Sequence, residues 1–228
     1  MIIAAGLLMA PARAEAAGGA FIVDDAEIGK PGDCKVESWA SFANNHDMLA
    51  ITSPACVVNA GTPVELGGAI GRFRNDDNWT TNGGPKLKMN LVPVETGRFG
   101  IGLAGSAAWN LGTGQYTGNI LYVPVTFQVR DDFRININGG WLYDGVVRLN
   151  YAYWGAGFEW NFVQPLTLIG EVFGLAGPTT DVGSVNDPRA QLGLRLTPVK
   201  NADIDLIYGH NIGGENAHWL TLGVNLRF

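Results

Sequence analysis

Residues Ala217–Phe228 read AHWLTLGVNLRF. Taken with a period of two, His218, Leu220, Leu222, Val224, Leu226 and Phe228 fall on one face, and Trp219, Thr221, Gly223, Asn225 and Arg227 on the other. Beyond His218 the first face is apolar throughout, while the second carries a threonine, an asparagine and an arginine. A half-buried strand of a soluble sandwich alternates in the same way, but it seldom finishes on an exposed phenylalanine. A strand with lipid on one side and a polar lumen on the other accounts for both features.

The same stretch carries a second signal. Thr221, a glycine two positions later at Gly223, and the closing Leu226 and Phe228 resemble the C-terminal tag by which bacterial outer-membrane barrels are recognised for assembly. That resemblance implies the outer-membrane assembly machinery as a partner. The motif is short, so its weight depends on whether the rest of the chain repeats the strand.

Composition is consistent with that repeat. The 228 residues include 32 glycines and only 16% charged side chains, rich in glycine and poor in charge for a soluble domain. No composition shift marks a linker, so one large domain is expected. After the N-terminus no uncharged stretch reaches the roughly 18 apolar residues of a spanning helix. Glycine, asparagine and threonine interrupt these stretches at alternate positions, as in a barrel. A net charge of -6 without any lysine-rich or arginine-rich run argues against nucleic acid as a partner.

Residues 1–16 read as a secretory signal: an apolar run from Ile2 to Met9, a proline, then small residues at Ala12 and Ala14. The positive charges usual ahead of such a run are missing. Residues 17–33 are too broken by glycine and proline for a full strand and form a periplasmic or lumen-entering segment; residues 34–228 form the barrel. Asp24 and Asp25 would point to opposite sides of an extended chain, so a solvated turn is the expectation there.

In an exported chain the cysteine pair Cys34 and Cys56 points to a disulfide. The first hairpin is expected to run from Cys34 to Ala43 and back from Asp47 to Val57. A turn centred on Asn45 pairs residues equidistant from it, which sets Cys34 opposite Cys56.

Strands are next expected at Thr62–Arg74, with Glu65 inward, and at Pro85–Pro93, where Leu87, Met89 and Leu91 alternate with Lys86, Lys88 and Asn90. From Arg98 the alternation is clean. Phe99, Ile101, Leu103, Ala107, Trp109 and Leu111 share a face, with an aromatic at each end of the aliphatic run, as two interfacial girdles require. A strand rising about 3.3 Å per residue and tilted near 45° crosses the apolar band in roughly ten residues, the separation of Phe99 from Trp109. The design recurs at Leu121–Arg130, Phe133–Tyr143, Asn150–Phe162, Pro165–Ala176, Arg189–Thr197 and Asp203–Tyr208. Short turns at Val94–Gly97, Asp131-Asp132, Val163-Gln164 and Val199–Ala202 alternate with longer polar links at Asn75–Gly84, Gly112–Gln115, Gly177–Asp187 and Asn211–Asn216. The expected fold is therefore an all-β, antiparallel, up-and-down transmembrane barrel of about twelve strands, with ten or fourteen left open by the blurred period before residue 98.

The order VDDAEIGKPGDCKVESW, SPAC and VELGGAIGRFR, from Val23 to Arg74, is similar to exported barrels of the family named after the meta pathway of phenol degradation. Those begin on Thr-Asp-Asp-Ala, and here Val23 replaces the threonine. The resemblance implies an outer-membrane channel or transporter of a Gram-negative bacterium for passive passage of small, often aromatic, compounds. It brings no catalytic residues and no cofactor.

Inward positions place Arg98, Arg130, Arg134, Arg195 and Arg227 with Glu159, Glu171, Asp203 and Asp205, mostly toward the periplasmic half. Such charges must pair, as a salt-bridge belt that stiffens the barrel or as a constriction that selects solutes. Two other readings are open. One is a structural or surface-interaction barrel with a blocked lumen. The other is a hydrolase on the external loops, for which His46, His210 and His218 and the serines Ser41 and Ser53 are the candidates, without a G-x-S-x-G motif. The three histidines, with Glu215, are more simply solvated residues than a metal site, and no metal is expected. The partners expected are outer-membrane lipid and small-molecule solutes, around a barrel that is a monomer.

Overall fold

A computed structural model of the chain describes residues 19–75, 77–178, 184–214 and 216–228, with the side chains of 184–187 left out. The expected secretory signal, residues 1–16, lies outside them.

The described residues form twelve strands: β1 (Cys34–Ala43), β2 (Met48–Asn59), β3 (Pro63–Asn75), β4 (Asn78–Val92), β5 (Phe99–Asn110), β6 (Tyr116–Arg130), β7 (Phe133–Asp144), β8 (Leu149–Val163), β9 (Leu166–Pro178), β10 (Ser184–Val199), β11 (Ala202–Asn211) and β12 (His218–Arg227). Each pairs antiparallel with its neighbours in sequence, and β12 pairs with β1 to close the barrel. The closing ladder runs from Lys35 opposite Arg227 to Ala43 opposite Trp219.

The two faces of β12 have the expected environments. Leu222 is 52% exposed and Thr221 only 2%. Leu220, Val224 and Leu226 follow the first, Gly223 and Asn225 the second. The exposed side continues around the wall through Leu66, Ile70, Leu87, Leu121, Val123, Ile137, Val172, Leu192, Leu194, Ile204 and Leu206. A continuous band of this kind in water would far exceed the apolar patches that soluble proteins carry. Aromatic pairs edge it at both ends: Phe99 with Phe127, centroids 4.6 Å apart, near the tight turns, and Trp109 with Tyr116, 5.4 Å apart, near the longer links. The end that holds the tight turns, Cys34 and Phe228 is the periplasmic one in the barrel pattern.

Cys34 and Cys56 are directly opposite and disulfide-bonded, with Cα atoms 4.1 Å apart. Two of the longer links are shorter than expected. β3 and β4 continue to Asn75 and Asn78, so most of Asn75–Gly84 is strand, and β9 and β10 likewise extend into Gly177–Asp187. Both hairpins rise past the apolar band into water, where an outward residue need not be apolar and the alternation that marks a strand fades. Arg72, 5.1 Å above the Trp79 ring, shows the change of environment.

An arginine at Leu222, near the middle of this face, should destabilise the folded barrel by about 2–4 kcal/mol. Urea titration of protein refolded into lipid vesicles reads the loss, and an unchanged midpoint would contradict a lipid-facing Leu222.

Candidate functional site

The lumen is not empty. Residues 19–33 run across its periplasmic half, from Gly19 beside Asn225 and Glu37 to Gly32, whose N–H bonds the Val57 carbonyl 2.9 Å away. A segment that is neither helix nor strand must find partners for its backbone elsewhere. Here the partners are inward side chains. Glu171 accepts from Ile22 N at 3.0 Å and Val23 N at 3.1 Å, and Tyr153 donates to Ile22 O at 2.8 Å. The Asn138 amide accepts from Asp24 N and donates to Asp24 O, each at 2.7 Å. Thr126 Oγ1 accepts from Ala26 N at 2.9 Å, and Asn90 Nδ2 donates to Ala26 O at 2.5 Å.

Space for the segment comes from glycine at inward positions. Val23, fully buried, lies over Gly155, where an added Cβ would come within 2.8 Å of it. Phe21 packs over Gly193 in the same way, and with Ala20, Ile169 and Ile207 it forms a buried apolar cluster against which Trp39 packs from above.

The segment also brings charge. Lys88 Nζ lies 2.8 Å from Asp24 Oδ1 and 3.1 Å from Asp25 Oδ1. Arg134 holds Glu159 with two bonds of 2.9 and 2.8 Å, and reaches Glu27 at 2.7 Å and Asp25 at 3.3 Å. Asp25 has no exposed surface, so the expected solvated turn is corrected: Asp24 and Asp25 lie in the lumen, bound by cations. The chain bends there, with Asp25 N bonding Asp24 Oδ1 at 3.0 Å and Glu27 N bonding Asp25 Oδ1 at 2.8 Å, so both carboxylates reach one lysine.

The residues singled out in the sequence divide into four groups. Arg134 and Glu159 form the network just described. Arg195 holds Asp205 with bonds of 2.7 and 3.0 Å, with Asn225 on the same carboxylate, while Arg227 and Thr197 share Asp203. Arg195 also covers the Phe21 ring at 5.2 Å. Glu171 belongs to neither set of pairs; it receives Gln191 Nε2 at 2.7 Å besides the segment's two N–H groups. Arg98 and Arg130 lie outside the belt: both are exposed at the periplasmic rim, on Glu95 and Asp132. They stand at strand ends, where an inward parity opens onto solvent. Lys35, Glu37, Glu65, Lys86 and Lys88 belong inside as well. The alternation of Lys86 and Lys88 with Leu87 carried that signal.

Above the segment, toward the extracellular end, large apolar side chains join the polar ones on the inner wall. Phe73 and Ile51 fill the space over Gly71, and the Trp219 ring covers Gly209 with Nε1 3.4 Å from Gln191 Oε1. Trp39, Phe173 and Tyr151 share this inward parity. The hydrolase candidates come together only in part: the rings of His210 and His218 lie 6.1 Å apart, while Ser41 pairs with Thr221 at 2.5 Å, Ser53 accepts from Lys86 at 2.8 Å, and His218 Nδ1 meets Tyr208 Oη at 2.7 Å. His46 takes the left-handed turn position of the first hairpin, and His210 bonds the Asn211 carbonyl at 2.9 Å. Among the described residues no cluster of three or more metal-ligating side chains forms.

Arg134→Gln strands Glu159, Glu27 and Asp25 beside one another and should cost about 3–5 kcal/mol. It should also open residues 20–30 to protease in the folded barrel. Arg98→Gln, at the wet rim, should leave both the urea midpoint and the digestion pattern as they are.

No curated protein sequence matches the chain. Among solved structures it is similar to the COG4313 outer membrane channel from Pseudomonas putida F1, at 12% identity and a TM-score of 0.68 over 90% of this chain and 98% of that one. It is similar to the NanC porin at 8% identity and a TM-score of 0.63, over 84% and 98%. A third likeness is to the KdgM porin, solved in complex with disordered oligogalacturonate, at 13% identity and a TM-score of 0.61 over 85% and 99%. At such identities these likenesses establish the fold, a closed antiparallel barrel of the outer-membrane kind. The family model described as Uncharacterised conserved protein UCP029691 matches residues 5–228, and the chain belongs to that family.

Proposed function

We propose that the protein is an outer-membrane channel of a Gram-negative bacterium for passive passage of small solutes, with a preference for compounds that carry an aromatic or other apolar body. The observation that carries this reading is the apolar lining of the extracellular half of the lumen by Trp39, Ile51, Phe73, Tyr151, Phe173 and Trp219. The rings stand among a few polar groups, with Ser41 on Thr221 and Gln191 on Trp219. Rings in an otherwise aqueous passage favour solutes that shed water readily and stack. The resemblance of the Val23–Arg74 region to the phenol meta pathway barrels supports the same solute class, and the fold shared with porins supports a channel.

The arginine and carboxylate pairs then serve mainly as a frame. They hold residues 19–33 against the wall, and the space left beside that segment sets how large a solute can pass. The assembly machinery would read Thr221, Gly223, Leu226 and Phe228, and lipid would surround a single barrel.

One observation favours a second reading. The segment is tied to the wall on many sides, as a permanent stopper would be, and the barrel would then serve as a surface or structural element.

Purified full-length protein in planar bilayers separates the two. A channel gives small, discrete conductance steps, and vesicles that carry it swell faster in phenylalanine than in glutamine. Phe73→Ala combined with Trp219→Ala should remove that preference and leave conductance in place. A folded barrel silent to ions and to both amino acids would be the stopper.

A further inference from the structure

Between the N-terminal segment and the wall of β1 to β6 the lumen keeps a cavity of ≈ 110 Å³. Small side chains leave this room, with Ala55, Ala104 and Ser106 on the wall. The charged lining consists of Lys35, Lys86 and Lys88 against Glu37, Glu65 and Asp24. These six formal charges cancel, so what a visiting solute meets depends on which of them are accessible.

The most accessible of them is cationic. The side chains of Lys86 and Lys35 are 35% and 20% exposed, that of Asp24, bonded by Lys88 and Tyr122, is 18%, and those of Glu37 and Glu65 are 6% and 9%. Glu37 and Glu65 lie behind the ammonium groups, with Lys35 Nζ 3.1 Å from Glu65 and 3.4 Å from Glu37, and Lys86 Nζ 3.9 Å from Glu37. An ammonium has three donors, and Ser53 Oγ takes one from Lys86 at 2.8 Å. The rings of Phe21 and Tyr122 border the same space.

We infer that this cavity is a binding site for small organic anions, in which Lys35 and Lys86 receive the charged group and Phe21 and Tyr122 flank the apolar body. The site names the solute class of the channel proposed above, and rests on that reading for the route through the barrel. An acid with an aromatic body suits both zones of the lumen: rings above, and lysines at the narrowing below. The buried carboxylates hold the lysines in place, and a solute that needs only one or two new hydrogen bonds can leave again.

Benzenesulfonate, an anion at all workable pH, and benzyltrimethylammonium, its cationic counterpart, are the probes. Two readouts use the full chain. In a non-ionic detergent, sodium benzenesulfonate should raise the unfolding temperature above that in sodium chloride of equal ionic strength, and benzyltrimethylammonium chloride should not. In planar bilayers under a salt gradient, the reversal potential should favour benzenesulfonate over sodium. Lys35→Gln with Lys86→Gln exposes Glu37 and Glu65 to the cavity, and should abolish the thermal shift and lower the anion-to-cation permeability ratio by about threefold or more. Lys86→Gln alone stands in should the double variant not fold, as judged by heat-modifiable migration in gels.

Equal thermal shifts from the two probes, or a shift that survives the lysine substitutions, overturn the site. Conductance without sulfonate binding removes the site and leaves the channel. Sulfonate binding in a barrel that never conducts removes the channel and leaves the site.

Discussion

Closure of the hydrogen-bonded ladder between β1 and β12 is the constraint on which the rest of the structure depends. In a lipid bilayer an open sheet edge would leave a row of N–H and C=O groups without water, at several kcal/mol for each unsatisfied group. Nine residue pairs, Lys35 to Ala43 against Arg227 to Trp219, remove that edge. Only with the ring complete can each strand give leucines and valines to lipid on one side and still bond its whole backbone. The disulfide sits at the seam's periplasmic end, where Cys34 N donates to Phe228 O at 2.8 Å and Phe228 N donates to Cys34 O at 2.9 Å, and ties β1 to β2.

Closure creates a second problem, since a twelve-stranded ring is too wide for its inward side chains to fill alone. The chain meets this with its own N-terminal segment in one half and with rings in the other. In the periplasmic half, glycine at Gly155 and Gly193 gives up wall volume so that Val23 and Phe21 can enter. The wall's polar side chains then act on the segment's backbone as a strand neighbour would, but through Glu171, Asn138, Thr126 and Asn90. Buried ion pairs add little net stability because desolvation offsets their attraction. Their effect is positional: Lys88 and Arg134 fix where Asp24, Asp25 and Glu27 lie, and so on which side of the lumen space remains.

The wall was far more legible in the sequence than its contents. Lipid imposes a strict rule on every outward residue, so the period of two at Phe99–Trp109 and Leu220–Phe228 carries directly into the structure. The Cys34–Cys56 pairing follows from symmetry about one turn. Strand ends in water obey no such rule, and so Asn75–Gly84 reads as loop when most of it is strand. Residues 17–33 read as a periplasmic or lumen-entering segment, but how the segment is held there escaped for another reason. Its contacts join Ile22 to Glu171 and Asp24 to Asn138, far apart in the chain, and they use the segment's backbone, whose donors and acceptors are the same whatever the sequence. What the sequence did hold was indirect: inward glycines on β8 and β10, at Gly155 and Gly193, which leave room beside the wall.

The two halves of the lumen constrain a solute differently, and together they narrow its chemistry more than either does alone. Rings near the entrance reward an apolar body through stacking and release of water, but they set no orientation. The narrower space below offers Lys35 and Lys86 on one wall, with the segment's Phe21 and Asp24 opposite. A neutral aromatic would leave the lysines to their carboxylates, and a cation would meet Lys86, the most exposed charge of the lining, with Glu37 and Glu65 behind the lysines. A small acid with an aromatic body can satisfy both levels in turn, ring first and charge second, without breaking any of the pairs that hold the segment in place.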